Sequence, residues 1–320
     1  MPTERHRRAH RRRWPWVVAL AVAVLLGPPV LAGWLATHPA RTPLNTTPAR
    51  WGLPYRSIVF PSTVDHLRIR GWWIPAAGHP RGLTVVFAHG YTQNREVASV
   101  PGLAVARALH AMGANVLMFD FRAEGRSPGH LVSIGEFEVR DLLGAVRWAQ
   151  HTRPRVPVAV LGWSMGATVS LMAAEANPSI HAVVADSPFG ALGPYLATSL
   201  PKWTHLPAFP YTAITLAVVP WLTGINPARV DPAGHLAQLG HRPVLIIVGL
   251  RDTTIPPGPN GIAMAKALAP LDPQSRLWEV SGAAHIGAFG VSPIAYLDHL
   301  YAIYHQVDPR LTRPPASLGY

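Results

Sequence analysis

The apolar run Val158–Leu161 ends in Gly162-Trp163-Ser164-Met165-Gly166, and a helix-compatible stretch of small residues follows at once, from Met165 to Ala176. Gly-x-Ser-x-Gly carries meaning when it joins a buried strand to a helix. The turn must then be so tight that the backbone at the serine is strained. Glycines two residues before and after remove the side chains that would collide there. The hydroxyl is held clear of the sheet, and free N–H groups of the helix N-terminus face any negative charge developing beside it. Ser164 is therefore a candidate nucleophile, against the alternative of a structural turn serine.

A nucleophilic serine needs a base, and the base needs an orienting acid. Val244-Leu245-Ile246-Ile247-Val248-Gly249 reads as a buried strand with Asp252 in the loop beyond it, 88 residues after Ser164. Arg276–Val280 reads as another strand, and a Gly/Ala loop delivers His285, 33 residues after Asp252. Asp186, in Val183-Val184-Ala185-Asp186-Ser187-Pro188, is the competing acid. The chain has 16 histidines, so position decides among them. His285 follows the last expected strand, whereas His299 lies in an apolar helical stretch. A further strand, Leu83–Ala88, runs into His89-Gly90-Tyr91-Thr92-Gln93-Asn94-Arg95. The backbone N–H groups of Tyr91 and Met165 are the expected oxyanion donors. His89 is read as a brace for its turn rather than as a base.

Strands and helices alternate, so one α/β domain is expected. Besides the strands named, an opening hairpin is expected at Ile58–Phe60 and Leu67–Trp73, with strands at Val116–Asp120 and Ala182–Ala185. Helices are expected near 97–112, 133–150, 165–176, 260–269 and 292–305, with Gly113 capping the first. Several strands are continuous apolar runs, as parallel strands buried on both faces should be. Ligands of such a sheet bind beyond the carboxyl ends of its strands. Ser164, Asp252, His285 and Tyr91 all map to that edge.

These segments resemble the α/β-hydrolase superfamily. Within it the pattern is similar to the branch of BEM46-like proteins and relatives of the prolyl-oligopeptidase catalytic domain. The matching segments are His89–Asn94, Phe119–Ser127, Gly162–Gly166, Asp186–Pro188, Gly249–Asp252 and Ser281–His285. The resemblance covers roughly residues 55–305. It implies an α/β-hydrolase fold, with a mostly parallel eight-stranded sheet, helices on both faces and a small helical cap. It also implies a Ser-His-Asp hydrolase but says little of the substrate; a small-molecule acyl ester is expected from the apolar insertion between Asp186 and Val244. A peptidase or acyltransferase on the same triad is the alternative, and a silent binding relative a more distant one. Where the family has a short Asp-Gly turn between its first two strands, this chain has Val64-Asp65-His66-Leu67.

The N-terminus carries Arg5, Arg7, Arg8, Arg11, Arg12 and Arg13 as a basic head over residues 1–13, followed by the uncharged segment 14–36. About 23 helical residues span roughly 35 Å, enough for a bilayer core. This reads as a transmembrane anchor contacting the lipid bilayer, with the basic flank cytoplasmic and the catalytic domain outside. Secretion after signal cleavage is the alternative. Residues 37–54 read as an extended stalk, 55–310 as the hydrolase domain and 311–320 as a tail. The formal net charge is +12; the head contributes +5 and the remainder is diffuse, which argues against nucleic acid as a partner. The chain has no cysteine, no metal-binding spacing and no nucleotide-loop pattern, so neither a metal nor another cofactor is expected. Between Asp186 and Val244 lies a Pro- and aromatic-rich insertion, read as a helical cap over about 190–228. Its apolar side chains would line an acyl-binding cleft. Trp163 beside the nucleophile, with Trp203 and Trp221 of the insertion, are the candidate substrate-binding residues.

Overall fold

A computed structural model describes residues 3–78 and 82–313, with side chains from Trp14 onward. It divides into two compact units, one of His38–Tyr195 with Pro227–Tyr320, the other of Met1–Thr37 with Leu196–Asn226.

The larger unit is built on one eight-stranded sheet. Its strands are β1 (Arg56–Pro61), β2 (Arg68–Ile74), β3 (Thr84–Ala88), β4 (Asn115–Phe119), β5 (Val158–Trp163), β6 (Ile180–Asp186), β7 (Val244–Gly249) and β8 (Arg276–Val280), in the order β1-β2-β4-β3-β5-β6-β7-β8. β1 and β2 form the antiparallel opening hairpin, and every pairing from β4 to β8 is parallel. All residues of β3, β4, β5 and β7 are buried, which is why these strands read as unbroken apolar runs. The edge strand β8 is mostly uncovered.

Register brings the strand ends to one rim. Ala88 pairs with Gly162, Trp163 with Asp186, Asp186 with Ile247 and Gly249 with Val280. The loops beginning at His89, Ser164, Ser187, Leu250 and Ser281 therefore leave the sheet side by side. Strand order reverses at β3, which has β4 on one flank and β5 on the other. The crossovers from these two strands diverge, leaving a crevice at their carboxyl ends.

Helix α1 (Thr3–Thr37) belongs to the smaller unit. In the larger unit, α2 (Gly102–Met112) packs beside the C-terminal helix on one face of the sheet, while α3 (Glu138–Thr152) and α4 (Met165–Ala176) pack together on the other. Gly113 ends α2 in the left-handed region, as its position suggested. Two helices begin later than the sequence pattern predicts. Residues 97–101 form turns before α2, with Val97 at φ 48°. Residues 133–137 precede α3 because Glu138 turns back to accept N–H groups from Ser133 and Gly135 at 2.9 and 2.7 Å. The insertion contains α5 (Leu192–Thr204) and α6 (Ala213–Thr223). After it come α7 (Ala263–Leu268), the single turn α8 (Ala288–Val291) and α9 (Pro293–His305).

The segment expected to be a stalk has no helix or strand over residues 38–47, but it lies against the larger unit rather than standing free. The Arg41 guanidinium donates to the Ser127 carbonyl at 2.5 Å, the Thr42 hydroxyl to the Thr92 carbonyl at 2.6 Å, and Glu96 accepts N–H groups from Asn45 and Thr46.

Candidate active site

Ser164 sits between β5 and α4 at φ 55° and ψ −121°, a conformation that side-chain-bearing residues avoid. The surrounding contacts impose it. A Cβ on Gly162 would lie 2.1 Å from the Gly166 carbonyl oxygen, and one on Gly166 would lie 2.0 Å from that of Ala88. Only two glycines let the elbow close this tightly. The Ser164 N–H donates to the Asp186 carbonyl at 2.8 Å, tying the strained residue to β6.

His285 Nε2 lies 2.9 Å from Ser164 Oγ, and its Nδ1 lies 2.7 Å from Asp252 Oδ2. The other Asp252 oxygen accepts N–H groups from Thr254 and Ile255 at 2.9 and 2.8 Å, so its own loop holds the carboxylate in place. The aspartate and histidine loops approach so closely that a Cβ on Gly249 would meet the carbonyl oxygens of Ala283 and Ala284 at 2.5 Å. Three side chains distant in sequence thus form one hydrogen-bonded line. Such a line can pass a proton from the serine to the imidazole while the carboxylate fixes the ring.

The loop after β3 passes beside the nucleophile. A Cβ on Gly90 would lie 3.4 Å from that of Ser164. Tyr91 follows directly. Met165 opens α4, where first-turn N–H groups have no partner within the helix. His89 is buried, and its two ring nitrogens serve backbone groups: Nδ1 donates to the Gly90 carbonyl at 2.8 Å and Nε2 accepts from the Phe121 N–H at 3.0 Å. Burial lowers it to about 4, so the ring is neutral at physiological pH.

Sequence reading missed what braces this loop. Asp120 accepts the Arg95 N–H at 2.8 Å, the Arg95 guanidinium at 2.5 Å and the Arg126 N–H at 2.7 Å. Glu124 accepts the Thr92 N–H at 2.5 Å. The Phe119–Ser127 segment that carries part of the resemblance therefore clamps the loop bearing Gly90 and Tyr91. No local pattern signals the pairings of Arg95 with Asp120 and Thr92 with Glu124, since the partners are 25 and 32 residues apart.

Asp186 does not touch the imidazole through the bonds described. It accepts hydrogen bonds from the Tyr296 hydroxyl at 3.2 Å and the Ser187 hydroxyl at 3.0 Å, in a wholly buried setting that pushes it up to about 7. Ser187 Oγ also accepts the Ile286 N–H at 3.1 Å, next to the histidine. Of the expected substrate-contacting tryptophans, Trp163 is 0% exposed, packs edge-on to Phe87 and donates its indole N–H to Tyr296 at 3.0 Å, which makes it a core residue here. Trp203 and Trp221 lie in the smaller unit and are 43% and 83% exposed. Among the described residues no group of three or more His, Asp or Glu side chains is placed to hold a metal.

A solved structure, the Pyrococcus furiosus esterase Pf2001, superimposes with a TM-score of 0.71 at 27% identity, covering 85% of this chain and 98% of that one. The sheet order, the strand–elbow–helix unit and this likeness decide the family. The chain belongs to the α/β-hydrolase superfamily. Residues 78–233 of the chain match the family described as "Serine aminopeptidase, S33". The uncharacterized protein YqkD of Bacillus subtilis is 30% identical over 203 residues, or 62% of this chain and 64% of YqkD. The monoglyceride lipase of Rattus norvegicus is 31% identical over 170 residues, 52% of either chain. The chain thus spans under two thirds of the length of the first curated relatives it matches.

Proposed function

We propose that this hydrolase is a membrane-anchored serine esterase that cleaves carboxylic esters with an apolar acyl group through Ser164, His285 and Asp252. The observation that carries the reading is the continuous line from Asp252 through His285 to Ser164, with spacings of 2.7 and 2.9 Å. Ser164 Oγ attacks the acyl carbonyl as His285 Nε2 takes its proton. Asp252 holds the ring with Nδ1–H toward itself and stabilises the imidazolium. The N–H groups of Tyr91 and Met165 bind the tetrahedral oxyanion. The imidazolium returns the proton to the leaving alkoxide, and water then releases the acid from the acyl-enzyme with His285 again as base. Ester cleavage is favoured over amide cleavage because one solved neighbour is named an esterase and one relative a monoglyceride lipase. The aminopeptidase description of the matching family supports peptide cleavage as the second reading.

Residues 14–36 form the bilayer anchor in this reading. They lie within a helix whose Trp14–Thr37 portion is long and apolar enough to cross a membrane, and the arginine-rich head precedes them. Turnover of p-nitrophenyl butyrate by the wild type and by Ser164→Ala tests the chemistry. A loss on the order of 10³-fold or more is expected, together with loss of fluorophosphonate labelling. Equal rates would refute the assignment. A faster reaction with matched aminoacyl amides than with esters would favour the peptidase.

A further inference from the structure

Burial along α1 is uneven. Residues 14–27 are exposed all round, but from Pro29 onward one face is covered: Pro29, Gly33 and Thr37, four residues apart, are buried. The covering element is α6 of the same unit. A Cβ on Gly33 would lie 1.9 Å from Val219 Cγ2, so the missing side chain is what lets the helices approach. The Thr215 hydroxyl reaches the Pro29 carbonyl at 3.5 Å and the Tyr211 carbonyl at 2.9 Å, which supplies its hydroxyl without water.

The insertion has the composition of something that leaves water. No Asp, Glu, Lys or Arg occurs between Lys202 and Arg229. Yet large apolar side chains point outward: Phe209 is 85% exposed, and the adjacent pair Trp221 and Leu222 stands out at the end of α6. An exposed apolar surface of this kind marks an interaction site. Length decides which kind. α5 and the segment 208–223 together are apolar enough for a span, but they meet at 114°. The 11 residues of α6 reach only about 17 Å, roughly half of a 30 Å hydrocarbon core. Aromatic residues at its ends and the single cation Lys202 before it match the layering of a bilayer interface.

We infer that residues 196–226 are a second bilayer-inserted element, lodged against the C-terminal end of α1 and facing the acyl chains of that leaflet with Phe209, Trp221 and Leu222. The inference rests on the reading of α1 as a membrane anchor. Its partner is the hydrocarbon of the lipid itself. The insertion leaves the chain after β6 and rejoins it before β7, the strands that precede Ser187 and Asp252. A lipid-borne ester is then the substrate class for the esterase proposed above.

The absence of cysteine allows a direct test on the full-length chain. Single substitutions Leu25→Cys, Phe209→Cys, Leu222→Cys and Val64→Cys are labelled with the fluorophore NBD and placed in phosphatidylcholine vesicles. Each is quenched in turn by doxyl-labelled phosphatidylcholine and by aqueous iodide. Positions 209 and 222 are exposed, so labelling leaves the packing intact. Lipid quenching of several-fold at 25, 209 and 222, with iodide quenching at the exposed position 64, is expected. Lipid quenching at 25 with iodide quenching at 209 and 222 overturns the inference and leaves the anchor standing. Iodide quenching at 25 overturns both. Shielding of 209 and 222 from both quenchers points to a protein partner, a second copy included, and also overturns it.

Discussion

Strands β6 and β7 are neighbours in the sheet, and each delivers an aspartate near the same rim, yet the two carboxylates are held in opposite ways. Asp252 lies three residues beyond β7, in a loop that turns back on itself. Two backbone N–H groups and an imidazole nitrogen converge on its two oxygens. Asp186 is the last residue of β6 itself. It is wholly buried, and among the described residues its carboxylate accepts hydrogen bonds from two hydroxyls, those of Tyr296 and Ser187. Without a cation or N–H donors, burial dominates and pushes its carboxyl up to about 7. The difference teaches that loop length past the strand, rather than the presence of an acid at a strand end, makes a carboxylate able to orient a histidine. Three further residues let the chain bend back and present its own N–H groups.

The sharpest way to break this contrast is to neutralise each acid. Asp252→Asn should lower kcat/KM for p-nitrophenyl butyrate by about 10⁴-fold, because an amide can donate to Nδ1 and so favours the wrong tautomer. A loss under tenfold would move the orienting role elsewhere. A smaller effect is expected where the two aspartates' surroundings meet. Ser187 bridges Asp186 and the Ile286 N–H, the first peptide after the histidine. Ser187→Ala should lower kcat roughly tenfold with KM held, as the imidazole loosens. Restoration by Ser187→Thr would separate positioning from packing. An unchanged kcat would show that the histidine loop stands without the bridge.

The same contrast explains what could be read in the sequence. The central strands were legible because burial on both faces demands continuous apolar runs, as in Val158–Leu161 and Val244–Val248, whereas the opening hairpin and the edge strand, only partly buried, read as mixed segments. The elbow was legible because only glycine at 162 and 166 lets its backbone close. Asp252 and His285 were legible through the resemblance and through chain order. What sequence left open was contact between distant polar groups. Nothing local in Tyr296 announces a bond to Asp186 across 110 residues, or in Arg95 one to Asp120. Trp163 reads as site-facing because it precedes Ser164, but alternation along β5 turns its ring into the core. The seating of α6 on α1 was hidden for the same reason: Gly33 and Val219 are each unremarkable until placed together.

Asp186→Asn is expected to leave kcat/KM within about threefold, and its larger consequence is in stability. The folded carboxyl titrates at about 7 against an ordinary 3.8. As pH rises past 3.8 the unfolded chain releases this proton first, while the folded chain retains it until about 7. Fewer protons on the unfolded state mean that stability falls across this window and is fully reduced above it. An amide carries no charge to desolvate, and its oxygen can still accept from Tyr296. Urea melts at pH 8 should therefore find the Asn variant more stable by up to about 4 kcal/mol, converting roughly three pK units. The gain should fade as pH drops through 7 and vanish near 4. An Asn variant less stable than wild type at pH 8 would mean that Asp186 is ionised and paired in the fold, and the contrast with Asp252 would dissolve.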